Sequence, residues 1–381
     1  MNDPFYDLRH YTEDEARIAI QNLFQKDVFI ETLELFRPNV KVEKILKEYP
    51  QYNTIYDFQL SVAKDFVEYF IDHTTFGVEM EGLENLDRNK QYLFIANHRD
   101  IVFDTSLLQY YFMVNHYPTS KIAIGDNLLS TPLLTEIGKI NKMITVKRSV
   151  SLREKLENYR LLSGYLHHSI LDEHDSVWIA QRNGRTKNGI DRTQHGLVKM
   201  FSMTDPKNPV AALKELNIVP VTISYELEVC DQLKARELAL SEDHRYEKRP
   251  GEDFESIKQG LFGQKGRVHL VIGTSLNDEL DNIPAHLNSK DTIDMVCKII
   301  DNQIYKNYKL FPTNYIAYDY LENTEEFTGF YTEEGKREFL RYLDKQSRVE
   351  DVSEEKMMNY LLQIYSNPVK VIVKKVIPQT H

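Results

Sequence analysis

The sequence predicts an α/β fold: a mixed, largely parallel sheet flanked by helices, with a helical N-terminal region. Short apolar runs alternate with helical stretches from about Gly77 onward, while the chain before Gly77 repeats its apolar residues at three- and four-residue steps. With 41% hydrophobic residues among 381, and only 15 Gly and 13 Pro, the chain has enough apolar side chain for one large domain with an appendage.

From Thr12 to Thr74 the pattern is helical. Thr12 and Glu15 have capping-box spacing, and Ile55, Phe58, Val62, Phe66 and Phe70 form an apolar stripe that is read as core packing rather than a membrane face. Strands are predicted at Tyr92–Ala96, Lys121–Ile124, Met143–Val146, Ser176–Ala180, Ile218–Ser224 and Val268–Ile272, with helices at Asp104–Asn115 and Ser151–His174. The charged stretch Glu226–Gly266 reads as an irregular excursion or lid. Helix returns after Ser289, with Ile293, Val296, Ile299 and Ile300 facing inward, and again near Glu334–Asp344 and Glu354–Tyr365. The tail Lys370–Val376 reads as an edge strand, or as a basic and apolar segment suited to anionic lipid. The expected division is a helical region over 1–76, an α/β domain over 77–310 and a helical extension over 311–381.

Composition narrows the function. Lys and Arg number 47 against 58 Asp and Glu, a formal net charge of −11, which argues against a protein that coats nucleic acid and requires any anion site to be local. Cys230 and Cys297 have no CxxC spacing, so neither a disulfide framework nor a structural zinc site is expected, and a reducing compartment is the default. The first residues lack a basic and apolar signal pattern, and no apolar run is long enough to span a bilayer. Neither export by a recognisable signal nor a membrane span is therefore expected.

The chemistry-bearing residues sit at strand ends. The first strand runs into Asn97-His98-Arg99-Asp100 and then Asp104, just ahead of a helix. A histidine leaving a buried strand with a carboxylate nearby can be held in one tautomer and take a proton from an alcohol. By itself such a pair is more often a histidine satisfied by a loop carbonyl. His98-Arg99-Asp100 also spells the start of a kinase catalytic loop, but Thr105 stands where the metal-binding Asn belongs, and no DFG or glycine-rich loop accompanies it. A second strand ends in Lys147-Arg148, and a third opens into Gln181-Arg182-Asn183-Gly184-Arg185-Thr186-Lys187. Either cationic run alone would be an ordinary solvated surface; beside a histidine at another strand end they suggest a phosphate or phosphopantetheine site. His167, His168 and His195 lack metal-ligand spacing, and no G-x-S-x-G elbow occurs.

In order, Asn97-His98-Arg99…Asp104, Ile144-Thr145-Val146-Lys147-Arg148, Asn183-Gly184-Arg185-Thr186 and Ile218-Val219-Pro220-Val221-Thr222-Ile223-Ser224-Tyr225-Glu226 resemble the four blocks of the glycerolipid acyltransferase superfamily, across about Gly77 to Gly273. The Tyr225-Glu226 ending and the later Gly266-Arg267-Val268-His269-Leu270 are more similar to the glycerol-3-phosphate branch than to the lysophosphatidate branch. The resemblance implies an O-acyltransferase of phospholipid synthesis, moving a fatty acyl group from acyl-CoA or an acyl carrier protein to a glycerol-3-phosphate or lysophosphatidate-type acceptor. It implies His98 as general base without a covalent acyl-enzyme. Lys147, Arg148, Asn183, Gly184, Arg185 and Thr186 would then bind substrate, with the two arginines on the phosphate, and Pro220 would shape the acyl pocket. No metal and no cofactor is implied.

Two features depart from the pattern. Five residues separate His98 from Asp104 where the family has four, and one separates it from Asp100; Asp104 is favoured because it immediately precedes the helix, with Asp100 as its rival. Arg182 stands where the family has a glutamate. A lyso-aminolipid acceptor, or a catalytically silent lipid-binding relative, therefore stays open. The expected setting is cytoplasmic, peripheral on the inner face of the cytoplasmic membrane, with a soluble donor, a lipid acceptor and the membrane surface as partners.

Overall fold

The computed structural model describes residues 3–36, 42–129, 131–147, 152–242, 246–249 and 251–375. Its centre is a seven-stranded sheet: β1 Val78–Glu81, β2 Leu93–Ala96, β3 Lys121–Gly125, β4 Met143–Val146, β5 Val177–Ala180, β6 Val219–Tyr225 and β7 Val268–Ile272, in the order β1-β7-β6-β2-β5-β3-β4. Every pairing is parallel except β6 with β7. The predicted mixed, largely parallel α/β sheet is the observed one.

Alternation along the strands sends successive side chains to opposite faces. Leu93, Ile95, Ile144, Val177 and Ile179 pack under helices Leu152–Leu171, His195–Phe201 and Ser289–Asn307. Phe94, Ala96, Trp178, Val221 and Ile223 pack under helices Lys64–Thr74 and Phe103–Val114. Both layers cover the sheet, which is why its central strands read as continuous apolar runs. The stripe before Gly77 is core: Ile55, Phe58, Val62 and Phe70 are buried, and the Thr12–Glu15 capping box forms.

Beyond shorter helices that were not anticipated, such as Pro132–Ile140 and His195–Phe201, the structure differs from the sequence reading in four places. β1 was not anticipated, because Val78-Glu79-Met80-Glu81 is four residues long, with its two glutamates exposed. The stretch Glu226–Gly266 is no irregular lid: it contains helices Asp231–Ser241 and Glu252–Phe262, with Asp231 and Lys234 buried. Helix Pro312–Glu322 was missed. The tail is not an edge strand, for helix Glu354–Ile372 continues through Pro368; Lys370 and Lys374 pair with Glu322 and Glu326, and Val376 lies outside the described residues. Among the described residues no helix is long and apolar enough to cross a membrane.

Candidate active site

Ala96, the last residue of β2, pairs with Ala180 of β5 on one side and Val221 of β6 on the other. The chain leaves β2 toward β3 and returns through β5 before crossing to β6, so the C-terminal end of β2 is the point where strand order reverses. In open α/β sheets ligands bind at such a point. His98 sits there.

His98 Nδ1 lies 2.9 Å from Asp104 Oδ2, an oxygen that also accepts from the backbone N–H groups of Arg99 (2.7 Å) and Asp100 (2.9 Å). A carboxylate only accepts, so Nδ1 is the donor, and in the neutral ring Nε2 is then the nitrogen that carries the lone pair. The ring meets Trp178 edge-on at 5.9 Å, and 12% of the side chain is open, enough for a substrate to reach. Asp100 makes no bond to His98. Its Oδ1 accepts from the N–H groups of Val102 and Phe103 and so caps the helix whose first turn holds Asp104. Helix Glu252–Phe262 lies directly on this loop: a Cβ on Gly260 would come within 2.2 Å of Asp100 Oδ2.

The loop after β5 folds back over His98. Thr186 N donates to the His98 carbonyl at 2.7 Å, and Thr186 Oγ1 donates to Asp191 Oδ1 at 2.6 Å. Asn183 is exposed, its N–H bound to Gln194 Oε1 at 2.9 Å, and Gly184 turns the chain at φ +74°. Arg185 lies within hydrogen-bonding reach of Cys230, whose thiol burial pushes up to about 11, and its Nη1 is buried with no partner among the described residues. Lys147 is exposed at the end of β4, three strand spacings from β2, roughly 14 Å across the sheet. Arg148 lies outside the described residues. Pro220 shares its side of β6 with Thr222, whose hydroxyl bonds the Ile304 carbonyl, so it faces helix Ser289–Asn307, on the sheet face opposite His98.

Residues 77–224 match the family model described as acyltransferase. This span includes the His98–Asp104 pair and the loop after β5. Residues 77–224 are an acyltransferase domain. No curated protein matches the chain. Among solved structures, the 1-acyl-sn-glycerophosphate (LPA) acyltransferase PlsC from Thermotoga maritima is similar at 13% identity and a TM-score of 0.38, over 78% of this chain and all of that one.

The acyltransferase domain is braced by a buried charge network that sequence reasoning missed. Arg99 is wholly buried. Its Nη2 donates to Asp191 at 2.6 Å and its Nη1 to Glu228 at 2.8 Å. Burial opposes its charge, yet Asp191 and Glu228 outweigh it and hold the guanidinium well above its ordinary range. Lys234 Nζ donates to Glu228 (2.6 Å) and to the Arg99 carbonyl (2.8 Å), while Asn97 Nδ2 reaches both Asp191 (3.0 Å) and the Ile223 carbonyl (2.9 Å). The strand ends around His98 are thereby tied to one another. Arg99 and its partners stand 92 and 129 residues apart, and no local spacing announces such pairs.

The C-terminal extension joins this network. Tyr365 Oη accepts from Glu228 N (2.9 Å) and donates to Asp231 (2.8 Å), and Asn367 Nδ2 donates to the Asn188 carbonyl at 2.8 Å. Gly189 has φ +77°, and a Cβ there would meet the Ile364 carbonyl at 2.2 Å, so only glycine lets the extension approach the loop. As for metals, Glu79, Glu81 and His269 gather one ligand atom each within 4.8 Å on β1 and β7. Lys309 pairs with Glu79, and His269 Nε2 lies 2.8 Å from Glu81 Oε1, so these groups already have partners in one another.

Proposed function

We propose that the acyltransferase domain transfers a fatty acyl group from a thioester, acyl-CoA or acyl carrier protein, to the hydroxyl of a glycerol-3-phosphate or lysophosphatidate-type acceptor. The observation that carries this reading is the His98–Asp104 pair, with Nε2 free at the sheet's reversal point. Nε2 takes the acceptor's hydroxyl proton as its oxygen attacks the thioester carbonyl. The tetrahedral intermediate collapses, the C–S bond breaks, and the imidazolium returns the proton to the departing thiolate. Asp104 holds the ring in the required tautomer and faces the charge that develops on it. Asp100 is assigned to capping instead. The unpartnered Nη1 of Arg185, on the loop that bonds the His98 carbonyl, supports a role in holding the acceptor's anion.

A second reading takes a lyso-aminolipid as acceptor. It is favoured by Arg182 standing where the family has a glutamate, which changes the charge of the third block. A soluble donor and a lipid product place the reaction at a bilayer surface, and we assign the protein to the cytoplasmic face as a peripheral enzyme. High salt or carbonate should then release it from membranes. Incubating the purified chain with labelled acyl-CoA or acyl carrier protein and a panel of acceptors tests the reaction itself. A labelled lysophosphatidate or phosphatidate supports the first reading, label on an aminolipid alone the second, and no lipid product removes both.

A further inference from the structure

The Asp104 carboxylate has two oxygens, and only one of them is engaged by the His98 loop. Oδ2 accepts from His98 Nδ1, Arg99 N and Asp100 N. Oδ1 accepts from a single group, the Tyr225 hydroxyl, at 2.7 Å. Tyr225 is the last residue of β6, lies on the same sheet face as His98, and is 1% exposed, so it cannot touch a substrate. It also stands one residue beyond the span that the family model matches. Burial, then Asp104, Asp100 and Glu228, hold its phenol far above the ordinary range, so it is a permanent donor.

We infer that Tyr225 is a positioning residue for the acyl-transfer reaction: its hydroxyl fixes the plane and the charge distribution of Asp104, and through Asp104 the orientation and basicity of His98. A carboxylate held by donors on both oxygens cannot rotate about its Cβ–Cγ bond without losing one of them. The ring it holds therefore keeps Nε2 aimed at one place. The hydroxyl also draws negative charge toward Oδ1, away from the oxygen that faces the imidazole. Removing it concentrates charge on Oδ2 and leaves Oδ1 buried without a donor, a costly state for a charged acceptor. The other donors to Asp104 are two backbone groups and the base itself. Among the described residues, Tyr225 is thus the side chain outside the His98–Asp104 pair that bonds Asp104 and through which it can be tuned by substitution.

This inference rests on His98 serving as the base, and its test separates the two. In the full chain with labelled histidine, the Nδ1 proton bound to Asp104 gives a far-downfield proton resonance, assigned by its loss in His98→Ala. Tyr225→Phe is expected to move that resonance further downfield. It should also lower kcat roughly tenfold to a hundredfold, the range for a lost hydrogen bond to a charged group, with KM for donor and acceptor unchanged. In an Asp104→Asn background the same change should cost nothing more, because its route to His98 is gone. Fluorotyrosine placed at 225 keeps the side chain's size, donates more strongly, and should move the resonance upfield; this arm reads the contact even where the Phe variant folds poorly. A resonance unmoved by either replacement, or a loss of activity in Tyr225→Phe that appears in KM and is undiminished with Asp104→Asn, would overturn the inference. An active His98→Ala would instead overturn the base assignment, while the resonance arms still report whether Tyr225 acts on Asp104.

Discussion

The N-terminal helices before Lys64 and the C-terminal extension both flank the sheet and both pack through apolar clusters, but they differ in what they bring to the strand ends around His98. Phe24, Phe29, Phe58 and Val62 pack with Ile140 of helix Pro132–Ile140, an aromatic and aliphatic cluster that leaves the strand ends around His98 alone. The extension reaches those strand ends through hydrogen bonds: Tyr365 to Glu228, Asn367 to Asn188, and Thr313 Oγ1 to the Glu226 carbonyl at 2.7 Å. Apolar contacts are non-directional and add stability without dictating where an atom of the site must sit. Directed polar contacts fix positions, and they leave costly orphans when cut. One region therefore stabilises the fold, while the other also holds the geometry of the site.

The largest effect is expected at the hub that both the domain and its extension depend on. Asp191→Ala strips Arg99 of one anion, Asn97 of one of its two acceptors and the Thr186 hydroxyl of its acceptor, so unfolding in denaturant should show a loss of about 3–5 kcal/mol and turnover should vanish. The contrast between the regions is read by a pair of variants. Leu23→Ala, in the N-terminal cluster, should cost about 3 kcal/mol with kcat of the folded enzyme unchanged. Tyr365→Phe should cost only about 1–3 kcal/mol, for the orphaned Glu228 N–H, and yet lower kcat several-fold. Were the kinetic effects reversed between these two, the distinction between the regions would fail.

The smallest effect sharpens the same comparison through pH. Burial raises Asp231 from 3.8 to about 6, against the Tyr342 and Tyr365 hydroxyls that favour its ionised form. The folded chain then binds this proton more tightly than the unfolded chain. Stability falls as pH rises from about 4 through 6, by at most about 3 kcal/mol, and the loss is complete above that window. Asp231→Asn cannot ionise, so its melting temperature relative to the wild type should climb across the window and level off beyond it. A difference that stays flat from pH 4 to 7 would remove Asp231 as the titrating group.

What was legible in the sequence follows the same divide. Six strands and the longer helices that cover them, such as Phe103–Val114 and Leu152–Leu171, were visible because burial on one or both faces leaves a periodic or continuous apolar signature, as at Met143–Val146 and Val268–Ile272. β1 was hidden, since its glutamates are exposed and only four residues pair with β7. The buried Lys234 and Asp231 made Glu226–Gly266 look like a solvated lid, for a charge that is paired in three dimensions has the same letter as one in water. In the site, His98 and Asp104 stood out at a strand end; the place of Asp104 just before a helix favoured it over Asp100, and the structure puts its oxygen on the ring while Asp100 caps the helix. Tyr225 was in view as the end of a motif, but its hydroxyl's partner lies 121 residues away.

The central claim is that His98, held by Asp104, is the base of the transfer. Its most direct measurement is kcat for His98→Ala, Asp104→Asn and Asp100→Asn, using a labelled thioester donor and an accepted acceptor, with melting curves for each. General-base assistance contributes about 10²–10⁴-fold, so His98→Ala should lose that much with its fold intact, and Asp104→Asn should lose much of it by mis-setting the tautomer. Asp100→Asn should show a milder change, traceable to the cap it provides. Equal and slight losses in all three would contradict the account, and a larger loss at Asp100 than at Asp104 would move the partner's role to Asp100.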